Sequence, residues 1–138
     1  SGGLREAARL AGTYADATTA KVAVLTGKAV GAAYTAFANA DLTVAVEGCT
    51  VAPIDPKAAV TVLYKDELEQ GTNIAADTAK LAAKYAAEVC SASAAVDAGL
   101  ADMAVPAGGV RAAVASALDM LATKRVQRMP KKHGNMAL

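Results

Sequence analysis

The segment Lys28-Ala-Val-Gly31-Ala-Ala-Tyr34 combines a lysine, a glycine and small residues directly after an apolar run. That run, Val22–Thr26, is rich in β-branched residues and predicts a buried strand. A strand that enters a small-residue turn and then a helix presents backbone N–H groups at the helix start, where they can hold a developing oxyanion. The competing interpretation is that Gly31 only lets the helix pack closely on the strand.

Other polar residues are weaker candidates for chemistry. Asp55 is either a functional carboxylate or the N-cap of a helix that begins at Pro56. His133 lies in a basic stretch near the end of the chain, and the sequence offers it no partner as a base or ligand. Cys49 and Cys90 lack metal-ligand spacing, and we expect buried free thiols, a reducing cytoplasm and no metal site.

Composition excludes several classes of partner. The chain has 14 basic and 13 acidic residues, a balance that points to neither nucleic acid nor an anionic membrane. Apolar residues make up 54% and aromatic residues 4%, which is typical of closely packed, alanine-rich helices. No apolar run approaches the roughly 20 residues that a membrane span needs. The 138 residues are expected to form a single domain, residues 1–138.

Strands and helices must position the candidate residues. Strands are predicted at Val22–Thr26, Leu42–Val46, Thr50–Pro53 and Met103–Val105, with a turn over residues 27–31. Apolar spacing predicts helices over Leu4–Ala17, Gly31–Asn39, Pro56–Gly71, Ile74–Val89, Ser91–Asp97 and Gly109–Lys124. The alternation predicts an α/β fold with a mainly parallel sheet flanked by helices.

Two segments together resemble a known family. The tail Met129-Pro-Lys-Lys-His-Gly-Asn-Met-Ala-Leu138 is similar to Pro-Pro-Lys-Lys-His-Gly-Asn-hydrophobic-Pro-Leu, and residues 28–34 are similar to Lys-Ala-Tyr-Gly-Gly-Ala-Tyr. Both patterns belong to the carboxyltransferase component of biotin-dependent acyl-CoA carboxylases and decarboxylases. The resemblance runs in order through Asn39-Ala-Asp-Leu42, Leu63-Tyr-Lys-Asp-Glu-Leu68 and Lys124-Arg125.

The resemblance implies an incomplete crotonase-like (ClpP-like) α/β fold. Family members have two crotonase-like halves, and this chain resembles only the latter part of the second, C-terminal half. Their first half holds most of the acyl-CoA site. A proteolysed fragment, a split subunit and a degenerate relative are the three alternatives that this leaves open. A chain that lacks the opening strands of this half would leave a sheet edge and apolar faces exposed. We therefore expect a homo-oligomer, or association with the missing N-terminal portion of the carboxyltransferase.

In the family, CO2 passes between carboxybiotin and an acyl-CoA such as acetyl-, propionyl- or glutaconyl-CoA. By position, Gly31, Ala32 and Ala33 correspond to the backbone turn that stabilises the biotin ureido oxygen. Ala32 replaces a glycine, and it is strained by about 1–2 kcal/mol if the position needs a positive φ. Lys28 matches the family's lysine before the turn and is a candidate for a carboxylate or CoA phosphate, or else is a solvated lysine.

The second departure is Ala52-Pro-Ile-Asp-Pro-Lys57, where the family has Ala-Val-Met-Gly on the biotin side of the cleft. By that correspondence, Ile54 and Asp55 are candidate biotin-side residues. The resemblance implies biotin on a carrier protein or domain, an acyl-CoA substrate and no metal. The first functional hypothesis is a carboxyltransferase component, inactive as a chain alone. The alternative is a non-catalytic assembly or scaffold module that keeps a remnant of the fold.

Overall fold

The computed structural model describes residues 2–127 as an α/β structure. The tail motif and His133 lie outside the described residues. The strands are β1 (Val22–Leu25), β2 (Lys28–Val30), β3 (Leu42–Val46), β4 (Thr50–Ala52) and β5 (Met103–Val105). The α-helices are α1 (Gly3–Asp16), α2 (Ala32–Phe37), α3 (Pro56–Leu63), α4 (Lys65–Gln70), α5 (Ile74–Val89), α6 (Ala92–Asp97) and α7 (Val110–Leu121).

The strands form two sheets, and every pairing within them is parallel. One sheet has the order β1-β3-β5, and the other pairs β2 with β4. The predicted parallel arrangement with flanking helices is therefore confirmed. The prediction of one sheet is wrong, because β4 pairs with β2 and not with the other predicted strands. Residues 27–31 were predicted to be a turn only, and they contain β2; its three residues are too few to show a periodic pattern.

The core lies between the sheets and the helices that follow them. Val44 and Ala45 of β3 are fully buried, since this central strand is covered on both faces. Small residues of α6 pack against β3, β4 and β5. A buried cluster includes residues of these and neighbouring elements: Leu25, Ala29, Ala45, Cys49, Val51, Ala92, Ala95 and Ala101. Alanine at the contact positions lets these short elements approach closely.

The helix predicted over Pro56–Gly71 is interrupted. Tyr64 has φ −115° and ψ 31°, and α3 and α4 meet there. The apolar stripe continues across this break from Val60 to Leu68, which are both buried. The spacing of apolar residues identifies which face of a helix is buried, but it does not reveal a change in backbone direction. The sequence therefore predicts one helix where the structure has two.

Candidate functional site

The Gly31 turn joins β2 to α2. Gly31 has φ 60° and ψ −131°, a conformation that is open to glycine and costly for residues with a Cβ. Within residues 2–127, every residue with positive φ is a glycine. The positive φ of this turn therefore falls on Gly31, and the strain considered for Ala32 does not arise.

Ala32 and Ala33 are the first two residues of α2. The first helical hydrogen bond runs from Thr35 N to Gly31 O, at 3.0 Å, so the N–H groups of Ala32 and Ala33 precede it. No acceptor among residues 2–127 bonds either group, and both alanines are exposed. The helix has six residues and a small dipole, so the two N–H groups themselves are the donors that the turn offers.

A backbone hydrogen bond ties this turn to the neighbouring strand. Gly31 N donates to Ala52 O at 2.9 Å, directly after the β2–β4 pairing of Val30 with Ala52. Parallel strands end at the same edge of a sheet, so the loop 53–55 begins beside the turn. The structure thus brings together the two segments that the sequence singled out, although Gly31 and Ala52 are 21 positions apart in the sequence.

Asp55 caps α3. Its Oδ1 accepts a hydrogen bond from Lys57 N at 2.9 Å, and Pro56 occupies the first helical position. The N-cap interpretation of Asp55 is confirmed. Ile54 is 62% exposed and lines an apolar groove of about 400 Å³ with residues of α3 and α5.

Lys28 lines two grooves. One, of about 240 Å³, also contains Ala33 and Ala29, so Lys28 and one of the two turn donors face the same space. The other, of about 300 Å³, contains Asp55 and Lys57. The structure therefore connects Lys28 with the turn on one side and with Asp55 on the other, whereas Ile54 lies in a separate apolar groove.

Two long-range polar contacts were not evident from the sequence. Tyr34 Oη donates to Leu100 O at 2.8 Å, and the pKa of Tyr34 is raised by burial and by the negative charge of Asp102. Lys124 Nζ contacts both oxygens of Asp41 at 2.7 Å. The family resemblance is the one feature of the sequence that singles out these residues, because it includes the segments that contain Tyr34, Asp41 and Lys124.

We also searched the described part of the chain for reactive thiols, metal sites and membrane-spanning helices. Cys49 and Cys90 are buried free thiols, as predicted, and burial raises the pKa of both, which opposes thiolate formation. No group of three or more His, Cys, Asp and Glu side chains within residues 2–127 is placed to hold a metal ion. Over the same residues, no helix is both long and apolar enough to span a membrane.

Comparison with known proteins identifies related sequences. A family model described as "Carboxyl transferase domain" matches residues 1–136. The propionyl-CoA carboxylase beta chain of Saccharopolyspora erythraea is 35% identical over 146 residues, which cover 100% of this chain and 27% of that protein. The methylmalonyl-CoA decarboxylase subunit alpha of Veillonella parvula is 33% identical over 139 residues, or 98% of this chain and 26% of that protein.

A solved structure agrees with these relatives. The transcarboxylase 12S structure, described as a hexamer assembly with methylmalonyl-coenzyme A and methylmalonic acid bound, matches with a TM-score of 0.83 and 30% identity. The match covers 99% of this chain and 27% of that one. The present chain thus spans 26–27% of the length of these curated relatives.

Proposed function

The chain belongs to the carboxyl transferase domain family, and we propose that it is a component of a biotin-dependent acyl-CoA carboxyltransferase. The observation that carries this proposal is the turn Gly31–Ala33. Its two N–H groups lack acceptors within residues 2–127, belong to exposed residues and are held beside the loop 53–55 by the hydrogen bond from Gly31 N to Ala52 O. Such preorganised donors stabilise an oxyanion by roughly 3–4 kcal/mol each.

The residues present fit the biotin side of the reaction. The N–H groups of Ala32 and Ala33 would donate to the biotin oxygen on which negative charge collects, and Ala33 lines the groove beside the turn. Lys28 lines the same groove and supplies positive charge for a carboxylate or phosphate. Biotin, when bound, supplies the carbonyl oxygen that accepts this charge. Asp55 contributes by fixing the start of α3, with its carboxylate directed to Lys57 N.

The relatives suggest the substrate class. The curated relatives quoted above are named for propionyl-CoA and methylmalonyl-CoA, and the similar solved structure contains methylmalonyl-coenzyme A. We therefore propose a short-chain acyl-CoA of this kind, with acetyl-CoA and glutaconyl-CoA as further members of the class. The buried thiols of Cys49 and Cys90 fit a reducing cytoplasm as the place of action.

The acyl-CoA side of the site is proposed to come from elsewhere. The relatives are nearly four times as long as this chain, which matches 26–27% of them. We propose that their remaining length, a biotin carrier protein or domain, and further copies of the subunit complete the enzyme. The chain alone is then expected to bring no measurable carboxyl transfer between free biotin and methylmalonyl-CoA. The reason is that most of the acyl-CoA site belongs to the first half of the family, which this chain does not resemble, so substrate positioning is lost.

The test combines this chain with the preceding segment of the Saccharopolyspora erythraea relative. Decarboxylation of methylmalonyl-CoA with free biotin as acceptor is expected to appear in the mixture. Ala33→Pro removes one turn donor at the second position of α2, and it is expected to lower the rate by about 10²–10³-fold. Ala75→Pro places the same substitution at the second position of α5 and serves as the matched control.

The alternative function is a non-catalytic assembly module. It is favoured by the loop 53–55, where Pro53 and Pro56 flank Ile54 and where Asp55 is committed to capping α3. In that case the two segments associate, yet the mixture has no activity. Formation of a stable complex without turnover, with wild-type and Ala33→Pro chains behaving alike, would establish the scaffold role and overturn the carboxyltransferase proposal.

A further inference from the structure

Tyr34 links the turn to a distant part of the fold. It is the third residue of α2, and its hydroxyl donates to Leu100 O across 66 residues of sequence, at 2.8 Å. We infer that Tyr34 is a positioning residue that holds the Gly31–Ala33 turn against the connection between α6 and β5. The inference rests on the proposed function for its biological meaning, but the contact and its test stand on the structure alone.

The acceptor of this hydrogen bond is itself fixed. Gly99, with φ 72°, ends α6 in a left-handed conformation, and Leu100 N donates to Ala95 O at 2.7 Å. Two residues further, Asp102 exchanges two hydrogen bonds with Thr43 of β3: Asp102 N to Thr43 O at 2.9 Å, and Thr43 N to Asp102 Oδ2 at 2.7 Å. The Leu100 carbonyl is therefore presented by a braced loop.

The donor needs such an anchor because α2 is short. A six-residue helix has little stability of its own, so tertiary contacts must define where it begins. Gly31 N reaches Ala52 O on one side of the turn, and the Tyr34 hydroxyl reaches Leu100 O on the other. The Tyr34 side chain also packs against the buried cluster, which includes Ala45 of β3, Val51 of β4 and Ala95 of α6.

The two long-range bonds have different consequences for the donors. The Gly31–Ala52 bond fixes the entry to the turn, and the Tyr34–Leu100 bond fixes the rotation of the first helical turn about its axis. The N–H groups of Ala32 and Ala33 lie between these two anchors. Loss of the phenol hydroxyl leaves the ring in the cluster but frees that rotation, so the direction of both donors becomes less defined.

The first experiment compares Tyr34→Phe with Tyr64→Phe by ¹⁵N NMR of the full chain. Tyr64 is also half-buried, but its hydroxyl makes no hydrogen bond within residues 2–127, so it is the matched control. In Tyr34→Phe, the amides of Gly31 and Thr35 are expected to exchange about three- to tenfold faster, as the loss of one hydrogen bond allows. The ¹⁵N order parameters of Ala32 and Ala33 are expected to fall.

A general loss of stability is distinguished by the order parameters at the turn. The Val44 and Ala45 amides report global opening, and loss of one native hydrogen bond is expected to speed their exchange by about the same three- to tenfold factor in Tyr34→Phe. Order parameters of Ala32 and Ala33 that stay at their wild-type values while exchange rises at β3 and at the turn would overturn the inference, since Tyr34 would then contribute only to overall stability. Unchanged exchange at Gly31 and Thr35 would overturn it as well.

A second variant reaches the same bond from the acceptor side. Gly99→Ala forces a Cβ into a left-handed residue and disturbs the Leu100 carbonyl without touching α2. Gly108→Ala, at an open position without positive φ, is its control. Gly99→Ala alone should also lower the ¹⁵N order parameters of Ala32 and Ala33. If Tyr34→Phe does not fold, unchanged order parameters in Gly99→Ala would refute the inference. Carboxyl transfer is not measured in either experiment, so the proposed function fails or succeeds separately.

Discussion

At the scale of single residues, the turn depends on the backbone freedom of Gly31. A Cβ built on Gly31 meets nothing within 4 Å, so space around the residue does not select glycine. The φ of 60° does, because an L-residue with a side chain is strained there. The family resemblance places two adjacent glycines in this turn, and the structure explains why only the first of them has to be a glycine.

We expect Gly31→Ala to lower the free energy of unfolding by about 1–2 kcal/mol, because the added Cβ is strained at positive φ. Gly12→Ala is the matched control. Gly12 lies inside α1, is equally open and has no positive φ, so alanine should be neutral or stabilise by up to about 1 kcal/mol. Urea unfolding measures both values, and equal effects of the two substitutions would contradict the assignment of strain to Gly31.

Asp55 allows a test of capping against chemistry. Asp55→Asn keeps an oxygen that accepts from Lys57 N and is expected to preserve stability, whereas Asp55→Ala should cost about 1 kcal/mol. Activity in the mixture described above is expected to follow the same order, with the asparagine variant close to wild type. An asparagine variant that is stable but inactive would show that the carboxylate charge takes part in the reaction.

At the scale of secondary-structure elements, an ion pair joins the exit of α7 to the sheet. Lys124 Nζ contacts Asp41, which precedes β3, and also donates to Thr19 O at 3.0 Å before β1. Asp41 Oδ2 in turn accepts from Lys21 N at 2.8 Å. The side chains of Lys124 and Asp41 are 17% and 23% exposed, so water screens this pair only in part.

A double-mutant cycle with Asp41→Asn and Lys124→Met is expected to give a coupling energy of about 1–2 kcal/mol, above the usual range for exposed pairs. The pair between Arg9 and Glu6 is the control, because its side chains are 53% and 67% exposed. Its coupling should stay below about 0.5 kcal/mol. Similar couplings in the two cycles would show that the partial burial of the Asp41–Lys124 pair does not strengthen it beyond an exposed pair.

The same ion pair predicts a pH dependence. The hydrogen bond from Lys124 is the main cause that lowers the pKa of Asp41 from its ordinary value of 3.8. A lowered pKa in the folded state means that the contribution of Asp41 is complete above pH 3.8 and is lost as the pH falls through the folded-state value. The difference in unfolding free energy between wild type and Asp41→Asn should therefore shrink on acidification below that pH.

At the scale of the whole molecule, apolar side chains remain uncovered. Val62 and Leu63 of α3 are 77% and 63% exposed, and Ile54 beside them is 62% exposed. Contiguous apolar exposure of this kind marks an interaction surface. We propose that residues 1–138 fold as one unit, because α1 packs on α2 and α7 packs on β1 and β3, and that the unit associates with further copies.

Light scattering at micromolar concentration is expected to give at least a dimer for the 138-residue chain. The double substitution Val62→Glu and Leu63→Glu should lower the mass if α3 lies in the contact, because charges would have to be buried there. Lys84→Glu on exposed α5 is the control and should leave the mass unchanged. A stable wild-type monomer would contradict the proposed association.

The sequence by itself determined most elements, the parallel α/β class and the family resemblance. These features depend on local patterns: β-branched residues in Val22–Leu25 and Leu42–Val46, and Asp55-Pro56 at a helix start. The N-cap role of Asp55 and the buried free thiols were predicted because each depends on residue type and near neighbours. The roles of Gly31, Ala32, Ala33, Lys28 and Ile54 in a biotin site stay predictions.

Only the tertiary structure decided how these pieces meet. The separate β2–β4 sheet, the bond from Gly31 N to Ala52 O and the contact of Tyr34 with Leu100 join residues that are far apart in sequence. Local sequence patterns cannot predict these contacts, because each contact depends on how the folded chain brings two distant residues together. The positive φ at Gly31 rather than at Ala32 was decided in the same way, since the register of β2 against β4 fixes which residue must make the turn.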